Sequence, residues 1–198
     1  MKDLKFIHIT KTAGTSIEDT GHEIGVMWGR FHKEYGWWHE CFPRKPEKIR
    51  KKYDWFTVVR NPYDRIISEF HCVFARSIHA EITKDAIDKK DAEMFNRIIR
   101  HKIKARSPKG DHYTEQCEYL KDMDVRIIRF ENIKNEFDEL MRERKINLTL
   151  NIRENAGKKT FSLRDLDQGT VDLINKVYKK DFHMLGYRMA SSPSGIFL

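Results

Sequence analysis

Cysteine is scarce in this 198-residue chain: only Cys41, Cys72 and Cys117, odd in number and widely spaced. That pattern argues against a disulfide scaffold and against a zinc site, and it points to a reducing, cytoplasmic compartment. No apolar stretch approaches the roughly 18 residues of a membrane span. No signal-peptide apolar core follows Met1, so a soluble chain is expected. Internal repeats and low-complexity tracts are absent, as is the Gly-x-x-x-x-Gly-Lys-Ser/Thr phosphate loop. Neither a zinc finger nor the paired aromatic strands of an RNA-recognition module occurs, which weakens any nucleic-acid reading. Nothing in the chain bears on oligomeric state.

Charge, by contrast, is plentiful. Lys and Arg number 38 against 30 Asp and Glu, a net +8, with a pI near 9.3. Such a balance favours an anionic ligand: a nucleotide, an acidic glycan or a nucleic acid. The length suits a single domain over 1–198 with a proper core. Strand and helix patterns alternate. Strands are expected at Lys5–Ile9, Trp55–Val59 and Val125–Phe130, with helices at Ser16–Ile24, Pro62–Glu81, Ile133–Arg144 and Val171–Lys180. A further amphipathic helix is read from Met94, Phe95, Ile98, Ile99 and Ile103. The alternation implies an α/β fold with a mainly parallel sheet covered on both faces.

Two segments carry the chemistry. In the first, the apolar Phe6, Ile7 and Ile9 run directly into Lys11, Thr12, Ala13, Gly14, Thr15 and Ser16. Small residues let the backbone approach a ligand, and Gly14 permits a conformation that other residues resist. If Thr15 or Ser16 opens a helix, hydroxyls, an ammonium and the helix's own N–H groups converge on one anion. An ordinary strand–turn–helix with a Thr or Ser cap would read the same way. In the second segment, Arg60 ends an apolar, β-branched strand, where open α/β sheets place ligands. Asn61, Pro62 and Asp64 suit the start of the next helix, and Ser68 lies two helical turns beyond Arg60. Arg60 could equally pair with a carboxylate, and Ser68 could be a small packing residue.

Taken together, the two segments resemble the nucleotide-binding signature of sulfotransferases that use 3′-phosphoadenosine 5′-phosphosulfate. Lys11-Thr-Ala-Gly-Thr-Ser16 is similar to that family's 5′-phosphosulfate loop, and Arg60-Asn-Pro-Tyr-Asp-Arg-Ile-Ile-Ser68 to its 3′-phosphate element. The likeness continues through Gln116–Leu120, Val125–Ile133 and Tyr178–Tyr187, with Thr10 where many relatives have proline. It implies a P-loop-like three-layer sandwich with a mainly parallel central sheet flanked by helices. It further implies transfer of a sulfuryl group to an acceptor hydroxyl, on a saccharide or a small metabolite, leaving 3′-phosphoadenosine 5′-phosphate. Neither a metal nor a nucleic-acid partner is called for.

The same resemblance assigns Lys11 to the bridging oxygen of the donor, helped by Thr15 and Ser16. It makes His39, in Trp37-Trp-His-Glu40, the leading base, with Glu40 as its nearest substitute. A histidine lodged among aromatics is the alternative for His39, as a packed core residue is for His8. Arg153, Lys158 and Lys159 are similar to a late basic loop over the 3′-phosphate, or else form a solvated charge cluster. Residues 25–46 and 82–114 are expected on the acceptor side. Two other classes stay open: a P-loop-type kinase, which would need magnesium, and a non-catalytic module binding polyanions.

Overall fold

The computed structural model describes residues 2–28, 39–72, 80–107, 112–121, 124–150 and 159–195. Within these residues the elements run β1 (Leu4–Ile7), α1 (Gly14–Glu23), α2 (Glu47–Lys52), β2 (Asp54–Val59), α3 (Pro62–Phe70) and α4 (Ala80–Lys89). There follow α5 (Ala92–Lys104), α6 (Gln116–Leu120), β3 (Arg126–Arg129), α7 (Ile133–Glu143), α8 (Gln168–Val177) and α9 (Lys179–Leu185). The described residues fall into two compact units. One runs through Arg60 and resumes at Glu118; the other begins at Asn61 and takes in 112–117 and the C-terminal part from Lys159.

The first unit holds the sheet, with three strands in the order β1-β2-β3, all parallel. Pairing sets Phe6 beside Phe56 and Ile7 beside Thr57, whose Oγ1 donates to the Ile7 carbonyl at 2.8 Å. Alternate residues Leu4, Phe6, Phe56, Val58 and Ile128 meet Ile17 of α1, Trp28, and Phe137, Leu140 and Met141 of α7 in one core cluster. On the opposite face Ile7, Trp55, Thr57 and Val59 are buried as well. Burial on both faces explains why β1 and β2 read as continuous apolar runs, the mark of a parallel sheet. Each large apolar side chain so buried contributes about 1.5–3 kcal/mol. The fold is thus α/β, a parallel sheet flanked by helices, in keeping with a P-loop-like sandwich.

The second unit packs helices around aromatic side chains. Phe95 and Phe161 stack at 4.3 Å between centroids, and Phe70 meets both edge-on. Capping follows the sequence closely. The Asn61 side chain accepts from Tyr63 N at the start of α3, with Pro62 in the first helical turn. Asp91 and Asp167 cap α5 and α8 by accepting from Met94 N and Thr170 N. Arg65, 1% exposed, donates to the carbonyls of His112 and Thr114 at 3.2 and 2.9 Å, and so pins that segment to α3.

Some boundaries differ from expectation. α1 begins at Gly14 rather than at Ser16. α3 ends at Phe70, well short of Glu81, where the Cys72 N–H turns back onto the Glu69 carbonyl, three residues earlier rather than four. Val73 and Phe74, within the helix expected over Pro62–Glu81, lie outside the described residues. The short helices α2 and α6 offer too few residues for a periodic signal.

Asp181, wholly buried in the first turn of α9, accepts from the backbone N–H groups of Gln116 and Cys117 at 2.8 Å each. Burial pushes its carboxyl above the ordinary value despite those two donors. The folded protein therefore holds this proton more tightly than the unfolded chain does. The stabilisation is complete below the ordinary carboxylate range and is lost as pH rises through the raised value. Asp181→Asn removes the titration. The stability advantage of wild type over variant, from urea denaturation, is therefore expected to shrink as pH rises from about 4 towards neutrality. A difference independent of pH would contradict this.

Candidate active site

Because β1 and β2 are parallel, their C-terminal ends share one edge of the sheet, where open α/β sheets gather ligands. From β1 the chain passes through His8, Ile9 and Thr10, all buried, into a tight turn and then α1. Lys11 and Ala13 adopt left-handed backbone with φ of 60° and 65°. Such conformations cost non-glycine residues of order 1–3 kcal/mol and persist only where the surroundings impose them. Here Thr12, fully buried, donates its hydroxyl to the Ile9 carbonyl at 2.8 Å and locks the turn from within.

Ala13 is the N-cap of α1 and provides no side-chain cap, and no acidic residue occupies the first turn. The N–H groups that open the helix thus meet the turn without a side-chain acceptor from the cap, as an anion site requires. Alternating left-handed residues are also the backbone pattern of anion-binding nests. Thr15 is exposed, with Lys11 and Ser16 intermediate. Neither Thr15 nor Ser16 caps the helix. Gly14 is needed for closeness rather than for an unusual φ: a Cβ there would lie 2.2 Å from His8 Cδ2 and Nε2.

Around this turn the first unit assembles residues from four places in the chain. Arg60, immediately after β2, donates through Nη1 to the Lys11 carbonyl at 3.2 Å, and its guanidinium lies 3.8 Å from the centroid of the Phe130 ring. His8 stacks edge-on with His39 at 4.5 Å between centroids, and His8 Nδ1 lies 3.7 Å from Glu18 Oε1 of α1. His39 Nδ1 lies 3.3 Å from the His8 carbonyl. A carbonyl only accepts, so Nδ1 is the donor in this contact. Glu40, a quarter exposed, faces Lys45 Nζ at 3.8 Å. Lys45 has its pKa lowered by burial, against the raising influence of Glu40.

The expected site residues thus divide. Lys11, Thr12, Ala13, Gly14, Thr15, Ser16, Arg60 and His39 lie in one region of the first unit. Ser68 is buried on α3 in the second unit, and Lys159 pairs there with Asp64 at 3.4 Å. Arg153 and Lys158 lie outside the described residues, as do Trp37 and Trp38 before His39. Trp28 is a core residue set edge-on against Phe56 and Phe137. Sequence reasoning missed Glu18 and Phe130. The first sits one helical turn after Gly14, and the second directly follows β3, so the strand-end rule that singled out Arg60 applied there too. A cavity of about 480 Å³ opens at the other end of the sheet, beside Asp54 and Arg126 where β2 and β3 begin, away from this turn.

Comparison with known proteins adds one finding. Residues 3–188 match the model of the sulfotransferase family. The chain belongs to that family, which sets aside the kinase and polyanion-module readings. No curated protein matches it, and no solved structure does.

The contact between Gly14 and His8 has a measurable consequence. Gly14→Ala is expected to destabilise the protein by roughly 1–3 kcal/mol, because the His8 ring is held between His39 and Glu18. Adding His8→Ala makes room, so the double variant should lose less than the sum of the single losses in urea denaturation. Strict additivity would show that the two residues do not meet.

Proposed function

We propose that this sulfotransferase takes its sulfuryl group from 3′-phosphoadenosine 5′-phosphosulfate and passes it in line to an acceptor hydroxyl. Saccharides are the first acceptor class and small metabolites the second. The observation that carries this reading is the hydrogen bond from Arg60 to the Lys11 carbonyl, which joins the two strand ends resembling the donor-binding elements.

The acceptor oxygen bonds to sulfur as the bond from sulfur to the bridging oxygen breaks, and that electron pair stays on the departing phosphate. Negative charge grows on the bridging oxygen, and the Lys11 ammonium is the group that meets it. The N–H groups opening α1, with Thr15 and Ser16, hold the 5′-phosphosulfate. Arg60 meets the 3′-phosphate as a fixed cation, since a guanidinium suits phosphate geometry and stays charged. His39 takes the acceptor proton on Nε2, supported by the tautomer that the His8 carbonyl selects. Glu40 is the substitute base. Ser68, Arg153, Lys158 and Lys159 join the 3′-phosphate set on resemblance alone. From the length of the chain we also propose one domain over 1–198, with 25–46 and 82–114 on the acceptor side.

Calorimetric titration with 3′-phosphoadenosine 5′-phosphate, without metal, is expected to show tight binding that 5′-AMP and ATP do not match. A preference for ATP with magnesium would overturn the donor assignment. Arg60→Ala should weaken this binding by about tenfold or more, as loss of a charge-assisted phosphate contact does; unchanged affinity removes Arg60 from the site. With an acceptor in hand, Lys11→Ala should lower turnover by roughly 10²–10³-fold in a normally folded protein. His39→Ala should keep nucleotide affinity and lose about 10²–10⁴-fold in transfer rate. Full activity in either variant would refute the corresponding role.

A further inference from the structure

A second cluster of reactive side chains lies wholly within the second unit. Glu69 stands in the last turn of α3, Cys72 follows two residues after the helix ends, and His112 lies on the segment that Arg65 pins to that helix. One potential ligand atom from each of the three falls within 4.8 Å of the other two. Glu69 is fully buried and Cys72 7% exposed, while the His112 side chain is 31% exposed and opens the cluster to solvent. His112 Nδ1 lies 2.7 Å from Glu69 Oε2, and Arg65 stands on the other side of that carboxylate, 3.7 Å from Oε1.

We infer that Glu69, Cys72 and His112 form a binding site for one zinc-class divalent cation. A carboxylate oxygen, a thiolate sulfur and an imidazole nitrogen are the donor set that a borderline-soft ion takes, and solvent completes the tetrahedron beside His112. Ligand bonds of about 2.0–2.3 Å correspond to ligand–ligand edges of about 3.3–3.8 Å. A spread of 4.8 Å is therefore about 1 Å wider than the liganded edge, and the His112–Glu69 contact opens to admit the ion. The backbone is already set, because the Cys72 N–H donates to the Glu69 carbonyl and Arg65 fixes the His112 carbonyl. The bound ion displaces the thiol proton and the proton between His112 and Glu69. His71, although adjacent to Cys72, is turned elsewhere: its Nδ1 lies 2.9 Å from the Ile67 carbonyl and its Nε2 accepts from Phe161 N. The site's role is a clamp, tying the end of α3 to the 112–114 segment.

The whole chain, freed of metal by dialysis against a chelator, is titrated with Co²⁺. The expected result is a near-ultraviolet sulfur-to-cobalt charge-transfer band that saturates at one ion per chain and is erased by Zn²⁺. Cys72→Ser should abolish the band while circular dichroism stays unchanged. Glu69→Gln and His112→Gln should each weaken Co²⁺ binding by at least about tenfold. Zn²⁺ should raise the melting temperature of the wild type alone. The absence of a band at stoichiometric Co²⁺ would overturn the site. So would a band that survives in Cys72→Ser, since the thiolate would then be Cys41 or Cys117. If Cys72→Ser does not fold, unchanged affinity in both other variants overturns it instead. None of these readouts involves sulfuryl transfer, so failure here leaves the donor reading untouched.

Discussion

The parallel pairing of β1 with β2 is the constraint on which the candidate site depends. Ile7 beside Thr57 fixes the register, and parallel strands must leave their C-terminal ends on one side of the sheet. The turn after β1 and the residue after β2 are consequently neighbours, although 49 positions separate Lys11 from Arg60. A one-residue slip of β1 would turn Phe6 out of its core cluster as well as shifting the Lys11 turn relative to Arg60. The apolar pattern that stabilises the sheet is thus the same pattern that places the cations.

Rigidity in the turn comes from several small devices acting together. Two non-glycine residues are held left-handed, a threonine closes the loop on the Ile9 carbonyl, and the absence of a Cβ at Gly14 lets α1 approach His8. An anion site built from backbone N–H groups works only if those groups keep their direction, since each contributes little alone. The strain at Lys11 and Ala13 is therefore offset by the buried contacts around them rather than relaxed by glycine. Arg60 adds a cation that is itself oriented, between the Lys11 carbonyl and the Phe130 ring.

Much of this was legible beforehand because it rests on local rules. Asn61-Pro62 opens α3 as capping preferences require, and the strand-end arginine stands where it was expected. The length of α3 was not legible. Its apolar spacing continues past Phe70, but a turn back onto Glu69 ends the helix there. The reason for Gly14 was misread: glycine usually signals positive φ, whereas here the requirement comes from the His8 ring six residues earlier. The cysteine spacing spoke against a metal-binding arrangement. Yet Glu69, Cys72 and His112 meet because Arg65 ties two distant stretches of chain together.

By itself the sequence determined the α/β class, the strands, the starts of α3 and α7 and the two motifs, since hydrophobic period and capping chemistry are read within a few residues of one another. Tertiary structure alone decided which side chains meet. His8, Glu18 and His39 around the turn, Phe130 beneath Arg60, and Cys72 beside His112 are long-range encounters. Each is set by strand register and helix packing, and neither leaves a trace in the spacing of residues along the chain.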